Sequence, residues 1–167
     1  MIPSVRLVAS GMEIRIREAG VADAQLIAAF NVRLAEESEG LRLDAALVQT
    51  GVTAVLKDPA KGIYYLAEAE GAVVGQVMIT CEWSDWRNGN IWWLQSVFVT
   101  PEARRAGVLR SLFNHLRNLA QARLDVCGLR LYMHAENTRA RQSYERLGMS
   151  RTQYEVFELD LRSAGHR

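Results

Sequence analysis

Cysteine is scarce here: Cys81 and Cys127 are the only two in 167 residues. Their spacing fits no metal-ligand pattern, and no metal is expected. Both stand among apolar residues and read as reduced core thiols, which suits a cytoplasmic protein. An excess of charge is also missing. The net charge is +1, so bulk composition gives no basis for binding nucleic acid or an anionic membrane. No apolar run reaches the length of a membrane span, and "MIPSVRLVASGM" has no signal-peptide core. Residues 1–11 read as a flexible extension, or as an upstream start before Met12. Linkers, repeats and low-complexity stretches are absent. With 49% hydrophobic residues, the rest suits one domain over 12–162, with a tail over 163–167.

What is present is clear periodicity. "MEIRIREA" alternates, with Met12, Ile14 and Ile16 on one face, and predicts a strand. Asp23 opens a helix with Leu26, Ile27, Phe30 and Leu34 on its apolar stripe. A second helix starts near Asp44 and runs toward Leu56. "IYYLAEAEGAVVGQVMITCEW" predicts two antiparallel strands with a tight turn at Glu70-Gly71. "IWWLQSVFV" is apolar on both faces and predicts a central strand. Val108, Leu112, Leu116 and Leu119 predict a long helix. "LRLYMHA" predicts a strand. "NTRARQSYERLG" predicts a short helix, with Asn137 as N-cap and Gly148 as stop. "QYEVFELDL" predicts a closing strand. The order is β-α-α-β-β-β-α-β-α-β, a mixed α+β plan.

The segment between the central strand and the long helix is unusual. "RRAGVLRS" puts Arg104, Arg105 and Arg110 around a helix start, where exposed N–H groups already carry partial positive charge. A strand, a loop with Gly107 and a helix N-terminus make a cradle for an anion such as a phosphate group. A solvated basic helix start is the ordinary alternative. The spacing is neither a P-loop nor a Rossmann fingerprint.

The pattern resembles the pyrophosphate loop of the GNAT superfamily of N-acetyltransferases, Arg/Gln-x-x-Gly-x-Gly/Ala after a strand ending in "V-x-P". "VTPEARRAGVL" supplies Val99, Pro101, Arg104 and Gly107, with Leu109 in place of the last small residue. A second segment, "NTRARQSYERLGM", is similar to that family's "N-x-x-A-x-x-x-Y-x-x-x-G-F/M" at Asn137, Ala140, Tyr144, Gly148 and Met149. The likeness in element order runs from Glu13 to Leu161. "EWSDWRNG" and "WWLQSVFV" resemble one bacterial branch.

The resemblance implies a mixed, mostly antiparallel twisted sheet, splayed at its centre, with helices on both faces and acetyl-CoA in the gap. It implies that Val97, Phe98 and Val99 line the pantetheine arm, with Val97 and Val99 offering backbone groups to it. Arg104, Arg105, Ala106, Gly107, Val108 and Leu109 would hold the pyrophosphate. Asn137 would bind near the pantetheine. Tyr144 would sit by the thioester sulfur and protonate the leaving thiolate. Both have structural alternatives, Asn137 as a helix cap and Tyr144 as a packing residue.

A base is needed for the attacking amine. Glu82, ending a strand before "WSDW", is the first candidate, and His134 the second. Gln95 stands on the central strand where a carboxylate would serve, and glutamine takes no proton. The acidic group Glu36, Glu37 and Glu39 reads as a surface loop or as a lure for a cationic acceptor. Trp92 and Trp93 must face opposite ways, one into the core and the other toward an acceptor pocket or a dimer contact. The expected activity is direct acetyl transfer to a primary amine of a small molecule or peptide, by a monomer or homodimer. The competing reading is a non-catalytic acyl-CoA-binding module. A nucleic-acid binder would need a broader basic face.

Overall fold

The computed structural model describes residues 6–9 and 12–161. Six strands form one sheet in chain order: β1 (Arg6–Ala9), β2 (Met12–Glu18), β3 (Ile63–Ala69), β4 (Ala72–Ser84), β5 (Gly89–Val99) and β6 (Val126–Arg130). All neighbours are antiparallel except β5 and β6, which run parallel. The helices are α1 (Ala24–Glu39), α2 (Ala45–Lys57), α3 (Val108–Gln121) and α4 (Thr138–Arg146).

Two apolar clusters show how the layers stack. On one face, Val108, Leu112 and Leu116 of α3 pack on Ile14, Ile16, Val77, Ile79, Trp92 and Leu94 of the sheet. Leu147 and Met149, just past α4, join this side. On the other face, Ala24, Ile27 and Ala28 of α1 and Val52 of α2 pack on Tyr64 and Leu66 of β3. Helices therefore cover both faces, as an α+β fold with alternating strands requires.

Local chemistry explains most boundaries. Asp44 caps α2 by accepting the N–H groups of Ala46 and Leu47. Glu70 and Gly71 both take positive φ, 52° and 79°, as a two-residue hairpin turn of this twist demands. Gly148, at φ 91°, ends α4, and the Met149 N–H reaches back to the Tyr144 carbonyl. Arg17 joins β2 to its surroundings by pairing with both Asp23 and Glu68. That pairing holds the Asp23 carboxyl below its ordinary range.

Several expectations are corrected. Arg6–Ala9 is a strand paired with β2 rather than part of a loose extension; the rest of 1–11 and the expected 163–167 tail lie outside the described residues. Leu26 is exposed, because Ala24, Ile27, Ala28 and Phe30 form the buried stripe of α1. Cys81 and Cys127 are exposed free thiols, not core residues, since both lie toward the β4–β5 hairpin end of the sheet. "LRLYMHA" pairs only as far as Arg130. "QYEVFELDL" forms no strand, and its apolar side chains face outward.

One buried histidine gives this core a pH dependence. His115, on α3, is 5% exposed and lies 5.3 Å from the Tyr65 ring, centroid to centroid. Burial pushes its pKa down. The unfolded chain therefore takes up the proton first, near pH ~6.5, and stability falls as the pH drops through that value. The melting temperature is expected to fall between pH 7.5 and 5.5, as marked on a roughly one-unit window either side of ~6.5. His115→Gln should flatten that fall. A slope unchanged in the variant would assign it to other groups.

Candidate active site

The sheet opens where β5 and β6 part. Their parallel ladder runs from Asn90–Val126 to Trp93–Arg130 and stops there, while β5 continues to Val99. Beyond Trp93 the β6 side of β5 has no strand partner among the described residues. This is the splayed centre that the resemblance implies.

A bulge shapes the open half of β5. The β4–β5 register jumps between Gln76, opposite Phe98, and Met78, opposite Gln95. Ser96 and Val97 lie in the bulge, and Ser96 takes φ 50°, a left-handed conformation that a non-glycine residue adopts at some cost. Gln76 fastens it. This fully buried amide donates to the Ser96 carbonyl at 3.2 Å and to Asn31 Oδ1 of α1 at 2.7 Å. Asn31 in turn donates to the Tyr64 hydroxyl at 3.0 Å. Sequence reading missed this network. Its one signal was a glutamine inside the strand run "VVGQVMI".

Beyond Val99, Pro101–Ala103 form a short 3-10 turn leading to the arginine loop. Arg105 and Gly107 both take left-handed φ, 70° and 87°. Gly107 is the N-cap of α3 and offers no side-chain acceptor. The first-turn N–H groups, from Val108 to Arg110, therefore point outward without partners inside the helix. They converge with the helix dipole on one spot. Gly75 lets the start of α3 sit close against β4, since a Cβ there would lie 2.9 Å from Val108 Cγ1.

The loop divides its labour unevenly. The backbone N–H groups of Arg104 and Ala106 are taken by the Pro101 and Ala103 carbonyls. The Arg104 guanidinium donates to the Val99 carbonyl at 3.0 Å, pairs with Glu37 of α1 and lies over the Phe98 ring. Arg104 thus braces the loop against α1, and Glu37 is a brace partner rather than a member of a free acidic loop. Arg105 and Arg110 are exposed beside the cradle. Phe98 is buried, packed 5.0 Å from Phe30 by ring centroids, so only its backbone faces the opening. Val97 and Val99 pack partly against the core.

On the α1–α2 face, at the last rung before the split, a second cluster forms. Trp93 Nε1 donates to Glu82 Oε2 at 2.5 Å, and Arg130 donates to Glu82 Oε1 at 3.3 Å. The Arg130 guanidinium also lies 5.8 Å from the Trp93 ring, and the Tyr132 ring is tilted against Trp93 at 6.1 Å between centroids. Both carboxylate oxygens of Glu82 are thus held. Gln95 is held as well, donating to Thr80 Oγ1 at 2.6 Å. Trp92 goes to the core and Trp93 to this cluster, while Trp83 and Trp86 are exposed. His134 lies past β6 in the turn before α4, where its Nδ1 accepts the Glu136 N–H at 3.4 Å. Arg130 as the partner of Glu82 was not foreseen, because the two are far apart in sequence.

On α4, Asn137 caps the helix by accepting the Ala140 N–H at 3.0 Å. Tyr144 lies further along the same helix, and burial pushes its pKa up to about 12. Its hydroxyl is therefore protonated at every physiological pH.

A sheet split beside an uncapped, glycine-started helix makes a cradle suited to an anion, and the comparisons with known proteins give the family. The model of the Acetyltransferase (GNAT) family matches residues 27–149. The chain belongs to that family, whose members generally carry out acetyl-CoA-dependent acyl transfer. A possible acetyltransferase from Clostridium difficile 630 is 43% identical, with a TM-score of 0.84, covering 90% of this chain and 99% of that one. A predicted acetyltransferase from Clostridium acetobutylicum, solved with acetyl-CoA, is 19% identical with a TM-score of 0.72. It covers 89% of this chain and 96% of its own. An aminoglycoside N-acetyltransferase in complex with CoA is 16% identical with a TM-score of 0.72, covering 93% and 100%. These last two share the fold. No curated protein matches the chain in sequence. Among the described residues, no helix is long and apolar enough to cross a membrane.

Proposed function

We propose that the protein transfers an acetyl group from acetyl-CoA to a primary amine by direct attack. The observation that carries this is the α3 N-terminus, uncapped and opened by Gly107, standing at the end of the strand where the sheet splits. The pyrophosphate would accept hydrogen bonds from the N–H groups of residues 107–110, with Arg105 and Arg110 adding charge. Arg104 contributes by holding the loop. The pantetheine arm would run along the open edge of β5 at Val97 and Val99, pairing as an added strand does. Asn137 would reach it while capping α4. Tyr144 would hydrogen-bond the departing sulfur and return a proton to it.

The acceptor would approach from the Glu82–Trp93–Arg130 side. An amine is mostly protonated near pH 7, because its pKa resembles that of lysine, ~10.4. It must lose that proton before or during attack, to Glu82 directly or through water. Glu82, held in place by Arg130 and Trp93, would also attract a cationic acceptor. The chain would work in the cytoplasm, without a metal, on a small molecule or a peptide.

Two measurements test this. An amine panel assayed by thiol release from acetyl-CoA should yield at least one turned-over acceptor. Cofactor binding with no turnover on any amine would leave a non-catalytic acyl-CoA-binding module. With the acceptor found, Glu82→Gln should lower kcat/KM and flatten the rise of activity with pH, leaving acetyl-CoA binding alone. A raised acceptor KM with an unchanged pH profile would make Glu82 a binding group only. Loss of the acidic limb in His134→Gln alone would move the base to His134.

A further inference from the structure

Four elements meet in one chain of hydrogen bonds behind the bulge of β5. Asn31 of α1 donates to the Tyr64 hydroxyl of β3 and accepts from Gln76 of β4, and Gln76 donates to the Ser96 carbonyl. Tyr64 and Gln76 are both buried. The Gln76 amide uses its two hydrogens on these bonds, while its Oε1 meets no donor among the described residues. A buried acceptor left unpaired is unfavourable, and natural interiors hold few of them. A leucine or methionine at this position would fill the space without that penalty. Packing therefore does not account for the glutamine; its two donated bonds do. They tie Ser96, at φ 50°, to β4 and α1. A strained backbone of this kind persists only where its surroundings hold it, and here β5 has already parted from β6.

We propose that Gln76 is a positioning residue for acyl transfer, acting through the Ser96 carbonyl and anchored by Asn31. The inference rests on the reading above, in which the pyrophosphate lies at residues 107–110 and the pantetheine arm passes Val99 and then Val97. Continuing along β5 in that direction, the arm meets Ser96 and then Gln95 and Trp93, which bond to Thr80 and Glu82. The bulge therefore stands between the donor's arm and the side from which the amine arrives. Gln76, Thr80 and Glu82 share one face of β4, because side chains alternate along a strand. A bulge bends its strand and re-aims the groups beside it. The backbone at Ser96 and Val97 thus sets how far the acyl carbon stands from the attacking nitrogen. A misplacement of about 1 Å at that distance costs roughly 10²-fold in rate. The pyrophosphate cradle lies at the other end of the segment and does not share in the loss.

Gln76→Met and Asn31→Ala test this in the full chain, with an acceptor that the amine panel shows to be turned over. Methionine keeps the length of the side chain and removes both donated bonds. Alanine suits a helix and leaves the Gln76–Ser96 bond without its anchor. Gln76→Met should lower kcat by roughly 10- to 10²-fold, with the affinity for CoA by calorimetry unchanged. Asn31→Ala should lower kcat in the same sense by less. The double variant should match Gln76→Met, because the two residues act in one chain. Unchanged kcat in both variants, or a fall matched by an equal loss of CoA affinity, would overturn the proposal. If Gln76→Met does not fold, Asn31→Ala decides by the same criterion. A wild type that turns over no amine removes the proposed reaction and this role with it. An active wild type with unaffected variants removes this role alone.

Discussion

Gly107→Asp is expected to weaken acetyl-CoA binding by roughly 10²- to 10⁴-fold, the equivalent of about two charge-assisted hydrogen bonds. The residue has φ 87° and starts α3. Aspartate tolerates left-handed backbone better than most residues, so the fold should persist. Its carboxylate would then lie among the α3 N–H groups and repel the pyrophosphate. Isothermal titration of the folded variant reads this directly. Unchanged affinity would remove the anion cradle from the account, and with it the cofactor's place.

Tyr144→Phe is expected to lower kcat by roughly 10- to 10⁴-fold, the range a positioned acid supplies, with cofactor affinity nearly unchanged. The substitution keeps the ring and removes the hydroxyl. The pH profile carries a second expectation. With the pKa pushed up to about 12, the phenol stays protonated, so Tyr144 itself contributes no alkaline limb below pH ~10. An intact kcat in the variant would make Tyr144 a packing residue. A wild-type alkaline limb that vanishes in Tyr144→Phe would contradict the burial of its hydroxyl.

These predictions rest on features that differ in how they are encoded. Turns and caps are local, so Asp44, Glu70-Gly71, Asn137 and Gly148 could be read from a few residues each. The opposition of Trp92 and Trp93 follows from strand geometry alone. Arg104 and Gly107 were legible as a pair because the loop is contiguous. The bulge at Ser96 was not, because it depends on Gln76 and Asn31 meeting from other elements. Glu82 was found by position, but its grip by Trp93 and Arg130 needs the β5–β6 rung that no periodicity displays. Alternation in residues 153–161 predicted a closing strand, and the structure shows none there, because a ladder needs an edge that the local pattern does not specify. Cys81 and Cys127 were misplaced for a related reason. Apolar neighbours in sequence do not bury a residue near the end of a sheet whose faces are only partly covered.

The most direct measurement follows the acetyl group itself. Acetyl-CoA labelled in its acetyl carbon is incubated with the protein and a turned-over amine, and free thiol and labelled amine are quantified together. Direct transfer predicts that the two appear in equal amounts, with no label retained on the protein. Thiol release without labelled amine, or label held on the chain before the amine is added, would contradict it.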